Sequence, residues 1–371
     1  MSPAPRLAWI DALKGIGITL VACGHHPALW AYSEASARAI FSVSMPLFFF
    51  ITGLTLQHGM SGKALAARAL SCVIPFFFIS LISVPMIFRL QPDATLADIA
   101  MGVLYGTGHT IATVPLWFLP CLAVALVLVF MLDKIGGLVA GKTKPQAVIT
   151  QLFLFALLQL AWQLALTTDY QLVRQIGWGD LLSSGAPWSA EVALSGASYI
   201  IIGRLFVQQL GQTQWLAAPQ WRAALAIGAI FLALNFLLRP EVDLNWRYDR
   251  PVGLSTVIAL TGILAMVATA VSIRNGQALS VLRWLGTSTI LILWQHSLLE
   301  KTSFKLLAPQ VGDFAALLLS LLLALSIPAT LATVLKRFPL VYNFIAPNPW
   351  LKKLLADKPV GAGKLPQVHT E

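Results

Sequence analysis

Charge is scarce in this sequence. Asp, Glu, Lys and Arg make up 11% of its 371 residues, against roughly 25% in an ordinary soluble domain, and hydrophobic residues make up 57%. That balance excludes a water-soluble globule, which needs more polar surface than this chain can supply, and implies solvation by lipid. Cysteine is nearly as rare. Cys23, Cys72 and Cys121 each lie in an apolar stretch, an odd count without CxxC spacing, so neither a disulfide framework nor a cysteine zinc site is expected. The three read as inert packing residues. A metal-ligand cluster, a P-loop and a GxSxG elbow are all missing, which removes support for metal catalysis and for a serine-hydrolase mechanism. Fixed-period repeats and two similar halves of the transporter kind are missing as well. The net charge of +10 does not point to nucleic acid, because the basic residues lie between apolar runs and in a short tail instead of forming one stripe. The N-terminus has no small-residue cleavage site behind a short apolar core, and its first apolar run carries polar residues, so that run reads as a retained membrane helix.

What the chain does have is a series of apolar runs, about ten, each near the 20 residues that cross hydrocarbon. They cover 14–31, 38–58, 69–90, 115–132, 148–167, 190–208, 221–238, 252–273, 284–300 and 314–335. The expected fold is all-α, a polytopic transmembrane helix bundle over residues 1–344, followed by a flexible basic tail over 345–371 that has too little apolar content to fold alone. Placing both termini in the cytoplasm puts 17 of the 25 basic residues on that side, Lys14, Lys63, Arg68, Lys144 and Arg204 among them. This bias supports an even number of spans and that orientation.

Ionisable residues inside a span are costly and face a cavity or the bundle interior. In the first run Lys14 and His25 are eleven positions apart, about 20° past three full turns and about 16 Å of rise, so they share one helix face. Lys14 then stands near the cytoplasmic entrance and His25 around mid-membrane, with Asp11 three positions before Lys14 placed to pair with it. For His25 the readings are a functional imidazole or a hydrogen-bonded core histidine; for Lys14, a functional cation or a snorkelling anchor. His26 is the second choice. His296, near the outer end of the ninth run, reads by itself as an interfacial polar residue. His109 lies in a Gly-rich outer loop before Trp117, and His58 and His369 carry no chemistry that the sequence assigns.

Ile10-Asp11-Ala12-Leu13-Lys14-Gly15-Ile16-Gly17-Ile18, followed by Gly24-His25, resembles the opening of the acyltransferase 3 family of integral membrane O-acyltransferases, particularly its fucose-4-O-acetylase-like, exopolysaccharide-modifying branch. In that family a basic residue, ten intervening residues and a histidine mark the first span. Met45-Pro46-Leu47-Phe48-Phe49-Phe50-Ile51-Thr52-Gly53 resembles its second span, with threonine where serine is usual; Leu116-Trp117-Phe118-Leu119 resembles its fourth, and Leu285-Gly286-Thr287-Ser288, ending in His296, its late span. One departure concerns a cytoplasmic Arg-x-x-Arg pair that the family uses toward acyl-coenzyme A: here Arg68 is followed three positions later by Ser71, with Lys63 five positions before.

The resemblance implies transfer of an acyl group, most often acetyl, from acetyl-coenzyme A to a hydroxyl of a surface or exported polysaccharide or its lipid-linked repeat unit. It also implies a bacterial inner membrane location. Acetyl-coenzyme A is a co-substrate and no bound cofactor is expected; the other partners are the carbohydrate acceptor, membrane lipid and polysaccharide-assembly proteins. His25 is the expected general base or acyl carrier; Lys14 attracts coenzyme A phosphates or keeps His25 neutral by charge repulsion, the first favoured by its place at the cytosolic mouth, and Asp11 orients Lys14. Arg68 and Lys63 are donor-binding candidates, and they also read as ordinary positive-inside residues. His296, Trp117, His109 and Trp246 are acceptor-binding candidates, Trp246 because segment 243–250 mixes aromatic faces with hydrogen-bonding groups and Trp30 lies near the same side. An aromatic belt explains those residues equally well taken singly. The alternative from another class is a transporter or flippase for a lipid-linked sugar, which would not consume acetyl-coenzyme A. The topology is open to direct test: reporter fusions after Lys144 and at the C-terminus are expected to read cytoplasmic and one after Asp180 periplasmic, and a periplasmic C-terminus would overturn the assignment.

Overall fold

The computed structural model describes residues 8–56, 59–139, 144–166, 185–211, 213–346 and 351. His58, His369 and all of the expected tail except Ile345, Ala346 and Leu351 lie outside them. Helix dominates the described residues, for a backbone in hydrocarbon satisfies its own amides by intrahelical bonding or a closed barrel. In chain order the longer helices are α1 (Ala8–His25), α2 (Glu34–Leu54), α3 (Gly62–Ile82), α4 (Phe118–Val139), α5 (Lys144–Leu166), α6 (Val192–Leu210), α7 (Trp221–Leu238), α8 (Leu254–Ser272), α9 (Gly276–Thr287), α10 (Thr289–Val311) and α11 (Asp313–Leu335). Eight of them, α2 to α8 and α11, are long and apolar enough to cross a membrane. The 18-residue α1 and 23-residue α10 are long enough but carry polar side chains in their apolar runs.

Two expected boundaries are corrected. The first helix is not 14–31 but Ala8–His25, so His25 is its last residue and not its midpoint. Pro27 is the cause: it cannot continue the helix, and it biases the preceding residue away from the helical region. The ninth run is not one span over 284–300 but two helices broken at Ser288, whose hydroxyl donates to the Trp284 carbonyl at 2.8 Å. α10 then continues to Val311, because the Leu, Glu, Lys and Ala residues after His296 are good helix formers although too polar to extend a hydropathy run.

The bundle is sorted by exposure. α2, α4 and α6 bury 67%, 67% and 72% of their apolar windows, against 17% for α5 and α7, which present Leu152, Phe153, Leu164, Leu225 and Phe236 outward as a lipid-facing surface. Glycines set two of the crossings. A Cβ on Gly286 would stand 1.9 Å from the Asp11 carbonyl oxygen and one on Gly15 2.1 Å from that of Leu282, so α1 and α9 meet backbone to backbone. Likewise Gly53 meets the Ile200 carbonyl and Gly203 the Phe50 carbonyl, each at 2.1 Å, locking α2 against α6. Near the Lys14 end of the bundle a buried ion pair, Arg204 Nη1 to Asp133 Oδ2 at 2.6 Å, ties α6 to α4, and Gln151 of α5 accepts from Arg204 Nε at 3.4 Å. Charges inside a membrane protein persist in this way, paired and turned inward.

At the opposite end α7 and α8 are joined by a two-stranded hairpin, β1 (Glu241–Asp243) antiparallel to β2 (Tyr248–Arg250), with Val242 opposite Asp249. It is clamped from two sides. Trp162 Nε1 and Gln163 Nε2 of α5 donate to Asp249 Oδ2 at 2.6 and 2.9 Å, and Arg247 Nε donates to Glu191 Oε1 at 2.9 Å.

The crossings predict a sharp contrast between glycines. Gly286→Val is expected to cost at least about 2–3 kcal/mol, because the obstruction is backbone and cannot rotate away. Gly228→Ala in α7, with nothing within 4 Å, should leave stability unchanged or raise it. Thermal melts of the two variants in detergent check this.

Candidate functional site

Two histidines from distant parts of the chain meet at the end of α1. The rings of His25 and His296 lie with centroids 5.2 Å apart, edge to face. Each Nδ1 contacts the carbonyl oxygen four residues earlier, Val21 for His25 and Ile292 for His296, both at 2.8 Å. A carbonyl can only accept, so both Nδ1 atoms carry the proton, and the neutral rings present lone pairs at Nε2. That tautomer is what a general base requires. His296 is 0% exposed. This corrects its reading as an interfacial polar residue: α10 begins at Thr289, so His296 lies in the bundle's interior, packed against α1.

His26 is committed elsewhere. Its Nδ1 accepts from the Ala28 amide at 3.2 Å, so its Nε2–H donates to Ser320 Oγ at 2.7 Å, fastening the end of α1 to α11. Adjacent histidines thus have different duties, one holding helices together and the other keeping a nitrogen free. Lys14 Nζ lies 3.7 Å from Asp11 Oδ1, with Asp11 buried and Lys14 partly exposed, about three turns below His25 on α1.

The remaining sequence candidates separate into two groups. At the Lys14 end, Arg68 donates from Nη2 to the Thr55 carbonyl at 2.6 Å and from Nη1 to Thr55 Oγ1 at 3.4 Å, so its charge caps the last carbonyls of α2; Lys63 is exposed in the first turn of α3. At the other end, the rings of His109 and Trp246 stand 4.5 Å apart. The His109 imidazole is held below its ordinary value, first by desolvation and then by the Arg247 charge. Trp117 is buried in a short turn that leads into α4 and packs on α10, so it is not an exposed face.

A cavity of about 390 Å³ opens at the Trp246 end, lined by Trp30, Phe41, Trp246 and Tyr248 together with Glu34, Arg38, Glu241 and Asp243. Phe41 joins it to the histidines, its ring lying 5.7 Å from Trp30 and 5.6 Å from His25. Asp243 Oδ1 accepts from the Asn245 and Trp246 amides at 2.9 and 3.1 Å, which sets the turn that presents the Trp246 ring. Burial pushes the Asp243 carboxyl up to about 6 against the opposing pull of those two amides and of Arg247. Sequence reasoning missed Phe41, which is indistinguishable from its apolar neighbours, and Glu300, a fully buried carboxyl one turn beyond His296. A Glu four positions after a histidine inside an apolar run was the available signal.

The helix bundle thus joins a histidine pair with bare Nε2 atoms, a cationic end and an aromatic cavity at the other end. The chain belongs to the acyltransferase 3 family, whose acyltransferase domain it matches over residues 7–333, and it is therefore a membrane acyltransferase. No curated protein and no solved structure matches it.

The Asp243 turn generates a pH prediction. With its carboxyl raised to about 6, the folded loop holds a proton that the unfolded chain, with a value near 3.9, releases. The associated stability is therefore full below about pH 4 and is lost as pH rises through about 6. Fluorescence of the protein, read as the difference from a Trp246→Phe variant, is expected to titrate near pH 6, and Asp243→Asn should abolish that step.

Proposed function

We propose that this protein moves an acetyl group from acetyl-coenzyme A, bound at the cytoplasmic Lys14 end, to a hydroxyl of a surface or exported polysaccharide or its lipid-linked repeat unit, held at the outer Trp246 end. The observation that carries the reading is the placement of His25. Its Nε2 lone pair is available, it adjoins the aromatic cavity through Phe41, and it stands on the same helix as Lys14 about 16 Å away. A base beside the aromatic cavity and on the same helix as a cation at the other end suits a reaction whose donor and acceptor lie on opposite sides of a membrane.

In the direct route His25 Nε2 takes the proton of the acceptor hydroxyl as its oxygen attacks the thioester carbonyl. The C–O bond forms, the C–S bond breaks, and the proton passes to the departing coenzyme A thiolate. Acylation of His25 itself, followed by transfer to the acceptor, balances equally well. Lys14, oriented by Asp11, and the nearby Lys63 and Arg68 supply positive charge for the donor's phosphates. The Arg68 contacts with Thr55 divide its duties, so its share in donor binding is secondary to its cap on α2. On the acceptor side Trp246, His109 and Trp30 offer ring faces of the kind that stack on sugars, and the inner membrane is where such a donor and acceptor meet.

His25→Ala is expected to lower O-acetylation of envelope polysaccharide by roughly 10²–10⁴, the range of a positioned base, while the protein still accumulates. His26→Ala should do the reverse, lowering thermal stability with a much smaller loss of transfer, because it breaks the Ser320 tie. Retention of more than about a tenth of wild-type acetylation by His25→Ala would remove histidine catalysis at this position.

A further inference from the structure

Polar atoms buried without a partner are few in a folded protein and call for an explanation. Among the described residues three of them fall within one turn of α10: His296 Nε2 and both carboxylate oxygens of Glu300. Both side chains are 0% exposed. Their direction is set by two ring contacts. His296 meets His25 at 5.2 Å and Phe304 meets His26 at 5.2 Å, and Glu300 lies four residues from each along the same stripe of α10. The carboxyl is thereby turned toward the end of α1.

The surroundings do not explain Glu300 as a structural residue. On the α1 side its helical neighbours His296 and Phe304 pack on His25 and His26, and His26 reaches Ser320 of α11. His26 and Ser320 are already bonded to each other, and Ser320 Oγ also donates to the Ala316 carbonyl at 2.6 Å. On α10 itself the neighbouring cation, Lys301, is exposed and about 100° away around the helix. Hydrogen-bond polarity then narrows what belongs here. His296 Nδ1–H is committed to the Ile292 carbonyl, so Nε2 is an acceptor, and the Glu300 carboxyl keeps an accepting oxygen whether or not it holds a proton. Both residues can therefore receive a donor. A thioester carbonyl has none to give, whereas a sugar ring carries a hydroxyl on nearly every carbon.

We infer that His296 Nε2 and the Glu300 carboxyl form the acceptor's hydroxyl-binding subsite, receiving a hydroxyl adjacent to the one that His25 deprotonates. The acceptor ring accordingly presents two neighbouring free hydroxyls at the point of acylation. The inference rests on the acyl-transfer reading and adds to it a residue, Glu300, and a requirement on the substrate.

The test uses membrane vesicles containing the full chain and its endogenous acceptor, supplied with labelled acetyl-coenzyme A. Glu300→Leu is expected to lower incorporation of label into polysaccharide about 10- to 100-fold, the effect of losing hydrogen bonds to a carboxyl group. The acetyl-coenzyme A concentration giving half-maximal transfer should not move, since the donor does not contact Glu300, and the melting temperature should equal or exceed that of wild type because an unpartnered buried group has been removed. Glu300→Gln keeps one accepting oxygen and should lose less activity than Glu300→Leu. Wild-type incorporation in Glu300→Leu would overturn the inference, as would a melting temperature several degrees lower in both variants, which would reveal a structural partner. Failure of the wild-type protein to incorporate label would overturn acyl transfer itself, a result distinct from either.

Discussion

Hydrocarbon offers no hydrogen bonds, so each polar side chain carried into the bundle has to find a partner there or be kept for a ligand. Most find one. Arg204 is matched by Asp133 and Gln151, Asp249 by Trp162 and Gln163, His26 by Ser320. Against that background the lone pair of His25 and the unpartnered atoms of His296 and Glu300 stand apart, and they stand together. The same constraint that shapes the fold thus marks out a place where it is locally relaxed.

That place depends on close helix contact. Gly15 and Gly286 let α1 and α9 touch through their backbones, which fixes α1 against the helix pair that carries His296. A methyl group at either position would push the helices apart and disturb the imidazole pair, whose centroids lie 5.2 Å apart. The α2–α6 crossing at Gly53 and Gly203 does the same for the centre of the bundle and holds Phe41, on α2, between His25 and the aromatic cavity. Packing rigidity and chemistry are therefore linked through four residues that have no side chains.

The two ends of the bundle differ in kind. One carries Lys14, Lys63 and Arg68 beside short connections; the other carries a hairpin braced by Glu191–Arg247 and by α5, with Trp246 presented on an Asp243 turn. This division gives the proposed reaction a direction, with anionic donor at one end and ring-shaped acceptor at the other.

Composition and apolar runs determined the class of fold, since a chain this poor in charge has no other stable solvent than lipid. The spacing of Lys14, His25 and Asp11 was likewise legible, because a helix converts sequence separation directly into angle and rise. Helix ends were less so. Hydropathy reports where lipid ends and not where the backbone stops winding, which is why α1 terminates early at a proline and α10 runs on past Glu300. Which histidine keeps a free nitrogen was decided in tertiary structure alone: His25 and His26 differ only in what stands opposite them, Ser320 for one and His296 for the other. The pairing of His25 with His296 joins residues some 270 positions apart, and nothing local in either segment encodes the other's presence.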